Sequence, residues 1–231
     1  MSFLGSAVAM PASASNPWFS WDYLHENADT ILTLLRFHLV VTLQAVGLAI
    51  LVAVPLAVLA YWVRPLAAPI LALSGVLYTI PSLALFAFLA PYVGIGTRTL
   101  LIGLVVYALL LIIRSTLTGL QEVPADVLDA AAGMGYGRFA RLWRVELPLA
   151  LPGLVTGIRL ATVSTVALVT VGVVIGQGGL GQLIIGGIRN NEYHAEIATG
   201  IVLCVLLGLT LDGVLAILGW LATPWSRRAA K

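Results

Sequence analysis

The hydrophobic pattern of this chain is a series of long apolar runs joined by short polar stretches. A helix rises about 1.5 Å per residue, so about 20 apolar residues cross the roughly 30 Å hydrocarbon core of a bilayer. Residues 39–63, 66–92, 99–120, 151–175 and 197–221 meet that length, which predicts five transmembrane helices. The first run carries no charge, contains Pro55 and is closed by Arg64 and Pro65. The second is interrupted by Tyr-Thr-Ile-Pro-Ser at 78–82. Pro81 cannot donate to a helix ladder, so a break is predicted there. Broken helices persist inside membranes where they line a cavity or are buried in protein. Tyr78, Thr79, Pro81 and Ser82 are therefore candidate pathway residues, joined by Tyr107 of the third run. The alternative is a structural kink satisfied by neighbouring helices.

The ends and joints divide the chain further. Residues 1–38 read as a flexible, uncleaved tail followed by an interfacial helix, because Trp18, Phe19, Trp21 and Tyr23 are rings that settle at the membrane surface. His38, beside the first run, reads as interfacial. Residues 39–231 form the membrane domain. Within it, 176–196 is a glycine-rich segment predicted as an outer loop. Its Gly178 and Gly179 are candidates for a gate, with close helix packing by small residues as the alternative.

Composition agrees with this pattern. The chain is 60% hydrophobic and 10% charged, with mean hydropathy +1.04. Soluble domains average roughly 25% charged residues, so a water-facing surface of ordinary size cannot be covered. A net charge of +2 gives no footprint for nucleic acid. The single cysteine, Cys204, excludes an internal disulfide. The histidines lack metal-ligand spacing, and no nucleophile elbow or paired acid is evident, so neither catalytic residues nor a metal is expected. The glycines at 176–181 are not followed by Gly-Lys-Ser or Gly-Lys-Thr, and the only lysine is Lys231. A nucleotide loop is thereby excluded, and no cofactor is expected on this chain.

Charge is concentrated in one place. The stretch 122–152 holds Glu122, Asp126, Asp129, Arg138, Arg141, Arg144 and Glu146. Pro124 and the alanines after it predict a short helix, Gly133, Gly135 and Gly137 a corner, and Arg138 to Val145 a second, basic helix. Pro148 and Pro152 mark the return to the membrane. Asp126 and Asp129 suit the first helix's positive end. Arg64, Arg138, Arg141, Arg144, Arg227, Arg228 and Lys231 fall on one side of the five spans, and Arg36, Arg98 and Arg189 on the other. The positive-inside rule then puts this insert and the C-terminus in the cytoplasm, and the N-terminus and glycine-rich segment outside. Arg114, Arg159 and Asp212 lie inside spans, where a charge costs roughly 2.5–3.5 kcal/mol on an insertion scale. They are candidates for an intramembrane ion pair, Asp212 with Arg159 or Arg114. Independent snorkelling of the arginines is the alternative.

The insert resembles the signature of permease subunits of binding-protein-dependent ABC importers: Glu-Ala-Ala, three residues, Gly, nine residues, Ile, one residue, Leu-Pro. Asp129, Ala130 and Ala131 stand for the opening triplet; Gly135 follows after three residues, and Val145, Leu147 and Pro148 close it after nine. Asp replaces Glu and Val replaces Ile. The stretch 80–99, IPSLALFAFLAPYVGIGTRT, looks like the osmoprotectant branch, which takes glycine betaine, choline, carnitine or similar solutes. The stretch 176–184, GQGGLGQLI, is similar to both that branch and methionine-type importers. The resemblance implies an all-α type I, methionine-permease-like fold with five core helices and cytoplasmic coupling helices. It implies partners too: cytoplasmic ATPase subunits that hydrolyse the ATP, a second permease subunit and an extracytoplasmic substrate-binding protein. Lipid surrounds the whole. A permease for methionine or another small solute, and a non-transporting membrane scaffold, remain alternatives.

Overall fold

The computed structural model describes residues 16–225. The expected tail 1–15 and the basic residues Arg227, Arg228 and Lys231 lie outside them. Ten α-helices are described: α1 (Trp21–Glu26), α2 (Ala28–Trp62), α3 (Arg64–Thr79), α4 (Ser82–Val93), α5 (Thr97–Gln121), α6 (Ala125–Gly133), α7 (Arg138–Arg141), α8 (Leu147–Val171), α9 (Gly181–Arg189) and α10 (His194–Ala222). A π-helical turn, Leu142–Glu146, joins α7 to α8, and a 3-10 turn, Gly172–Ile175, follows α8.

Helix α5 is the centre, packed between α2 and α8. The contact with α2 uses small residues: Ala49, Ala53 and Ala57 are fully buried against Ala108, Ile112 and Ile113. Lipid tails are as apolar as leucine, so helices associate in a membrane chiefly by close backbone approach, which small residues permit. On the other side, Gly153 and Gly157 of α8 meet Ser115 and Gly119 of α5. A Cβ on Gly157 would lie 2.7 Å from that of Ser115, and one on Gly153 3.0 Å from the Gly119 Cα.

Helices α3 and α4 bend by 96° at Ile80–Pro81. Contacts at the joints put their outer ends at opposite ends of the bundle, the arrangement of one broken span. The start of α3 shares a cavity with α7, whereas Thr97, just after α4, donates a hydrogen bond to Gln177 beyond α8. The chain therefore passes between the two ends of the bundle five times, as the apolar runs predict.

Three expectations are corrected. The first span does not begin at residue 39, because α2 starts at Ala28 and leaves only α1 as a separate N-terminal helix. At 35 residues α2 is about 52 Å long, far more than the bilayer core, so its polar first turns need no break. The glycine-rich segment is not simply a loop: it contains α9, whose Gly187 packs so tightly on α10 that a Cβ would sit 2.6 Å from Ile197. The basic helix of the insert is not separate either. It continues through the π turn and past Pro148 and Pro152 into α8. Pro148 lacks an N–H and its ring would crowd the carbonyl four residues back; the wider π turn just before it relieves that conflict.

Candidate functional site

Local chemistry builds the corner of the insert. Pro124 caps α6 rather than entering its first turn. At the far end, the Tyr136 amide donates to the Ala131 carbonyl at 3.1 Å and the Gly135 amide to that of Ala132 at 2.9 Å. Gly135 has φ +83°. This is a Schellman stop, in which a left-handed residue satisfies the last carbonyls of a helix. A side chain on Gly135 would meet nothing within 4 Å, so backbone conformation, not crowding, demands glycine here.

The corner sorts the signature residues by exposure. Asp129, Ala130 and Gly135 face outward, whereas Ala131 is only 1% exposed. Val145, Leu147 and Pro148 are half-buried, and Leu147 packs on Leu120, Leu142 and Ala150. Glu146 is 1% exposed, and its Oε1 accepts from Nε of Arg141 at 2.6 Å. Five residues separate that pair, which is the spacing a π turn aligns. The arginines do not form a free basic face: Arg138 lies over the Trp62 ring and Arg144 over that of Tyr136.

Sequence reading missed the largest outward groups at this corner. Met134, Phe139 and Trp143 are 71%, 68% and 67% exposed. Phe139 and Trp143 are four apart, so helical spacing was the available signal. With Asp129 and Ala130 they make an apolar surface of knobs and small residues beside a rigid helix start. Such a surface suits docking into a groove rather than chemistry.

The pathway candidates gather at the α3–α4 bend, but with different roles. Tyr107 is buried, and its hydroxyl donates to the carbonyl of Ile80, the extended residue at the break between α3 and α4. Tyr78 stacks edge-on against Tyr107 at 5.8 Å and stays partly exposed. The Thr79 hydroxyl donates to the Val76 carbonyl at 2.7 Å, and Ser82 opens α4.

Gly178 and Gly179 are buried in packing rather than on an open flap. A Cβ at Gly178 would come 2.5 Å from that of Val173, and one at Gly179, whose φ is +50°, 3.0 Å from His38. His38, read as interfacial, is instead fully buried. Its Nδ1 accepts from the Leu180 amide at 3.3 Å, so Nε2 carries the proton and donates to the Val166 carbonyl at 3.0 Å. Nearby at the same end, burial, reinforced by Glu196 and Tyr193, pushes the Tyr23 phenol up to about 12.

Asp212 of α10 takes a two-pronged bond from Arg159 of α8, Nε to Oδ1 at 2.8 Å and Nη2 to Oδ2 at 2.7 Å. The Arg114 side chain is exposed and takes no part in it.

Comparison with known proteins places this geometry. Residues 45–220 match the family described as binding-protein-dependent transport system inner membrane component. The osmoprotectant import permease protein OsmW of Salmonella typhimurium is 38% identical, over 87% of this chain and 96% of its own length. The carnitine transport permease protein OpuCB of Listeria monocytogenes is 35% identical over 90% and 95%, and the choline transport system permease protein OpuBB of Bacillus subtilis 36% over 87% and 93%. Among solved structures, an inward-facing conformation of the MetNI methionine ABC transporter superposes with a TM-score of 0.74 at 25% identity, covering 81% of this chain and 93% of that one.

Proposed function

The chain belongs to the family of binding-protein-dependent transport system inner membrane components, and from that premise we propose that it forms the solute pathway of an ATP-driven importer of osmoprotectants. Glycine betaine, choline, carnitine and proline are the solutes intended. The substrate class rests on the relatives, which are named for osmoprotectant, carnitine and choline transport. The likeness to a methionine transporter supports the fold.

One observation carries the mechanism: α7, which follows α6 and the Gly135 corner, runs without a break into α8. Bonds are neither made nor broken on this chain; ATP is hydrolysed by separate subunits. Their closure pushes Asp129, Ala130 and the Met134–Phe139–Trp143 surface. Because α7, the π turn and α8 are one helix, the push moves a whole span. The glycine contact of α8 with α5 passes it to the centre of the bundle. The Arg159–Asp212 pair carries it to α10. A second permease subunit completes the pathway, and a binding protein delivers solute at the opposite end, where α9 and the start of α10 lie. The arginines beside α6 support a cytoplasmic position for the coupling corner.

Proteoliposomes holding this chain with its ATPase and binding protein test the reading. Labelled glycine betaine is expected to enter with ATP, and labelled methionine not. Methionine uptake without betaine uptake would reassign the solute. Gly135→Trp is expected to lower uptake at least roughly tenfold, since it both strains the left-handed position and fills the docking face. Unchanged uptake and ATPase association in that variant would remove the docking role.

A further inference from the structure

Behind α6, on the side away from its docking face, lies a cavity of about 580 Å³. That is within the roughly 300–1,000 Å³ range of small-molecule sites. Its polar wall is cationic: Arg64 opens α3, and Arg138 and Arg141 come from α7. Its floor includes Leu120, Val123 and Leu128. No carboxylate lines it; the nearest in the ion-pair network is Glu146, already bound to Arg141. Three guanidinium groups against one carboxylate leave a net charge of +2 around one cavity.

The fold leaves part of this charge uncompensated. An arginine cannot shed its proton, so like-charged neighbours must be compensated by an anion or by water. Two of the three are already held in place. Arg138 donates through Nη2 to the Trp62 carbonyl at 2.9 Å, with its guanidinium 4.8 Å above the Trp62 ring. Arg141 is fixed by Glu146 through Nε. Each uses one N–H of five and keeps the rest. Arg64 has no side-chain partner among the described residues. Planar forks of this kind match phosphate oxygens, and pre-positioned ones bind with less loss of freedom.

Height in the membrane narrows the ligand. Tyr61 and Trp62, which also line the cavity, end the long apolar helix α2. Ring residues at such a point mark the bilayer interface, where headgroup phosphates lie. Basic pockets between helix ends at that level hold anionic lipid headgroups. We propose that this cavity binds the phosphodiester headgroup of an anionic phospholipid, wedged between the coupling helix α6 and the ends of α2 and α5. The site is independent of the transported solute. It places a lipid directly beneath the element that receives the push of the ATPase.

The test uses the full chain in neutral detergent, with bound lipid read by native mass spectrometry. Phosphatidylglycerol is expected to bind well above phosphatidylcholine, whose trimethylammonium group is repelled by the cationic wall. Arg64→Gln is expected to weaken phosphatidylglycerol binding about fivefold, the weight of one basic residue on an anionic surface. Arg138→Gln should do at least as much, and Arg144→Gln, which sits over Tyr136 outside the cavity, nothing. Arg64→Lys keeps the charge without the fork and should fall between. Thermal unfolding checks that each variant is folded, and among the described residues the Arg64 side chain has no hydrogen bond or ion pair to lose. Millimolar inorganic phosphate displacing the lipid in wild type but not binding Arg64→Gln would show the same phosphate site open to a soluble anion as well. Equal binding of the two lipids, or wild-type binding in both Arg64→Gln and Arg138→Gln, would overturn the proposal. The readout needs no ATPase or solute, so its failure would leave the transport reading standing.

Discussion

At the scale of single residues, His38 shows how a polar group can tie together the packing of an apolar bundle. It sits in a long apolar helix and joins three separate parts of the chain: α2, the Val166 carbonyl of α8 and the Leu180 amide before α9. Both ring nitrogens are engaged, so the imidazole is neutral with its proton on Nε2. Removing it leaves a buried N–H without an acceptor, which costs about 1–3 kcal/mol. It also opens space beside Gly179, whose backbone packs on the ring. His38→Ala is therefore expected to lower the thermal unfolding temperature in detergent clearly, and His38→Gln, which keeps a donor and an acceptor, to lower it less. If His38→Ala unfolds like wild type but loses uptake, the residue acts in the pathway instead. Tyr107 follows the same logic at the Pro81 break, where its hydroxyl serves a backbone carbonyl.

At the scale of helices, the α5–α8 crossing decides whether the bundle forms. Gly153 and Gly157 press on Ser115 and Gly119 without room for a Cβ, and the contact has to move as one body if α8 transmits force. Gly157→Leu is expected to prevent this packing, seen as loss of monodisperse protein after extraction. Gly133→Ala, at a glycine with open space around it, should be silent in the same measurement. These helices show what could be read from the chain. The five crossings, the Pro81 break and the helix–glycine–helix order of the insert follow from local properties: apolar length, a missing N–H and a left-handed stop. The merger of α7 with α8 was not legible, because Pro148 ordinarily signals a boundary and only the π turn lets the helix pass through it. Helix α9 was hidden for a related reason. Its glycines ordinarily signal a loop, and here they answer instead to the close approach of α10. The exposed Met134, Phe139 and Trp143 looked like ordinary apolar residues until the corner showed which way they face.

At the scale of the whole molecule, the joints separate into two sets. Arg64, Gln121 and Arg138 share one cavity at one end of the bundle. At the other end, Asn16 bonds to the Glu192 carbonyl and the His194 amide, and Thr97 to Gln177. Basic residues cluster at the first end, so that end is expected to face the cytoplasm. The chain offers a clean way to check this, because Cys204 is its only cysteine and lies in the middle of α10. On a Cys204→Ser background, Asn191→Cys places a thiol in the exposed turn before α10, and Ala132→Cys one on the exposed side of α6. Both positions lack a side-chain hydrogen bond that the substitution would break. In intact cells opened only at the outer face, a membrane-impermeant maleimide is expected to label the first and not the second. After permeabilisation both should react. The reverse order would invert the molecule, moving the docking corner and the phosphate cavity away from any cytoplasmic ATPase. Labelling of both in sealed cells would mean that α8, the span between the two positions, does not separate them across the membrane. The count of five passages, drawn from contacts at the joints, would then fail as well.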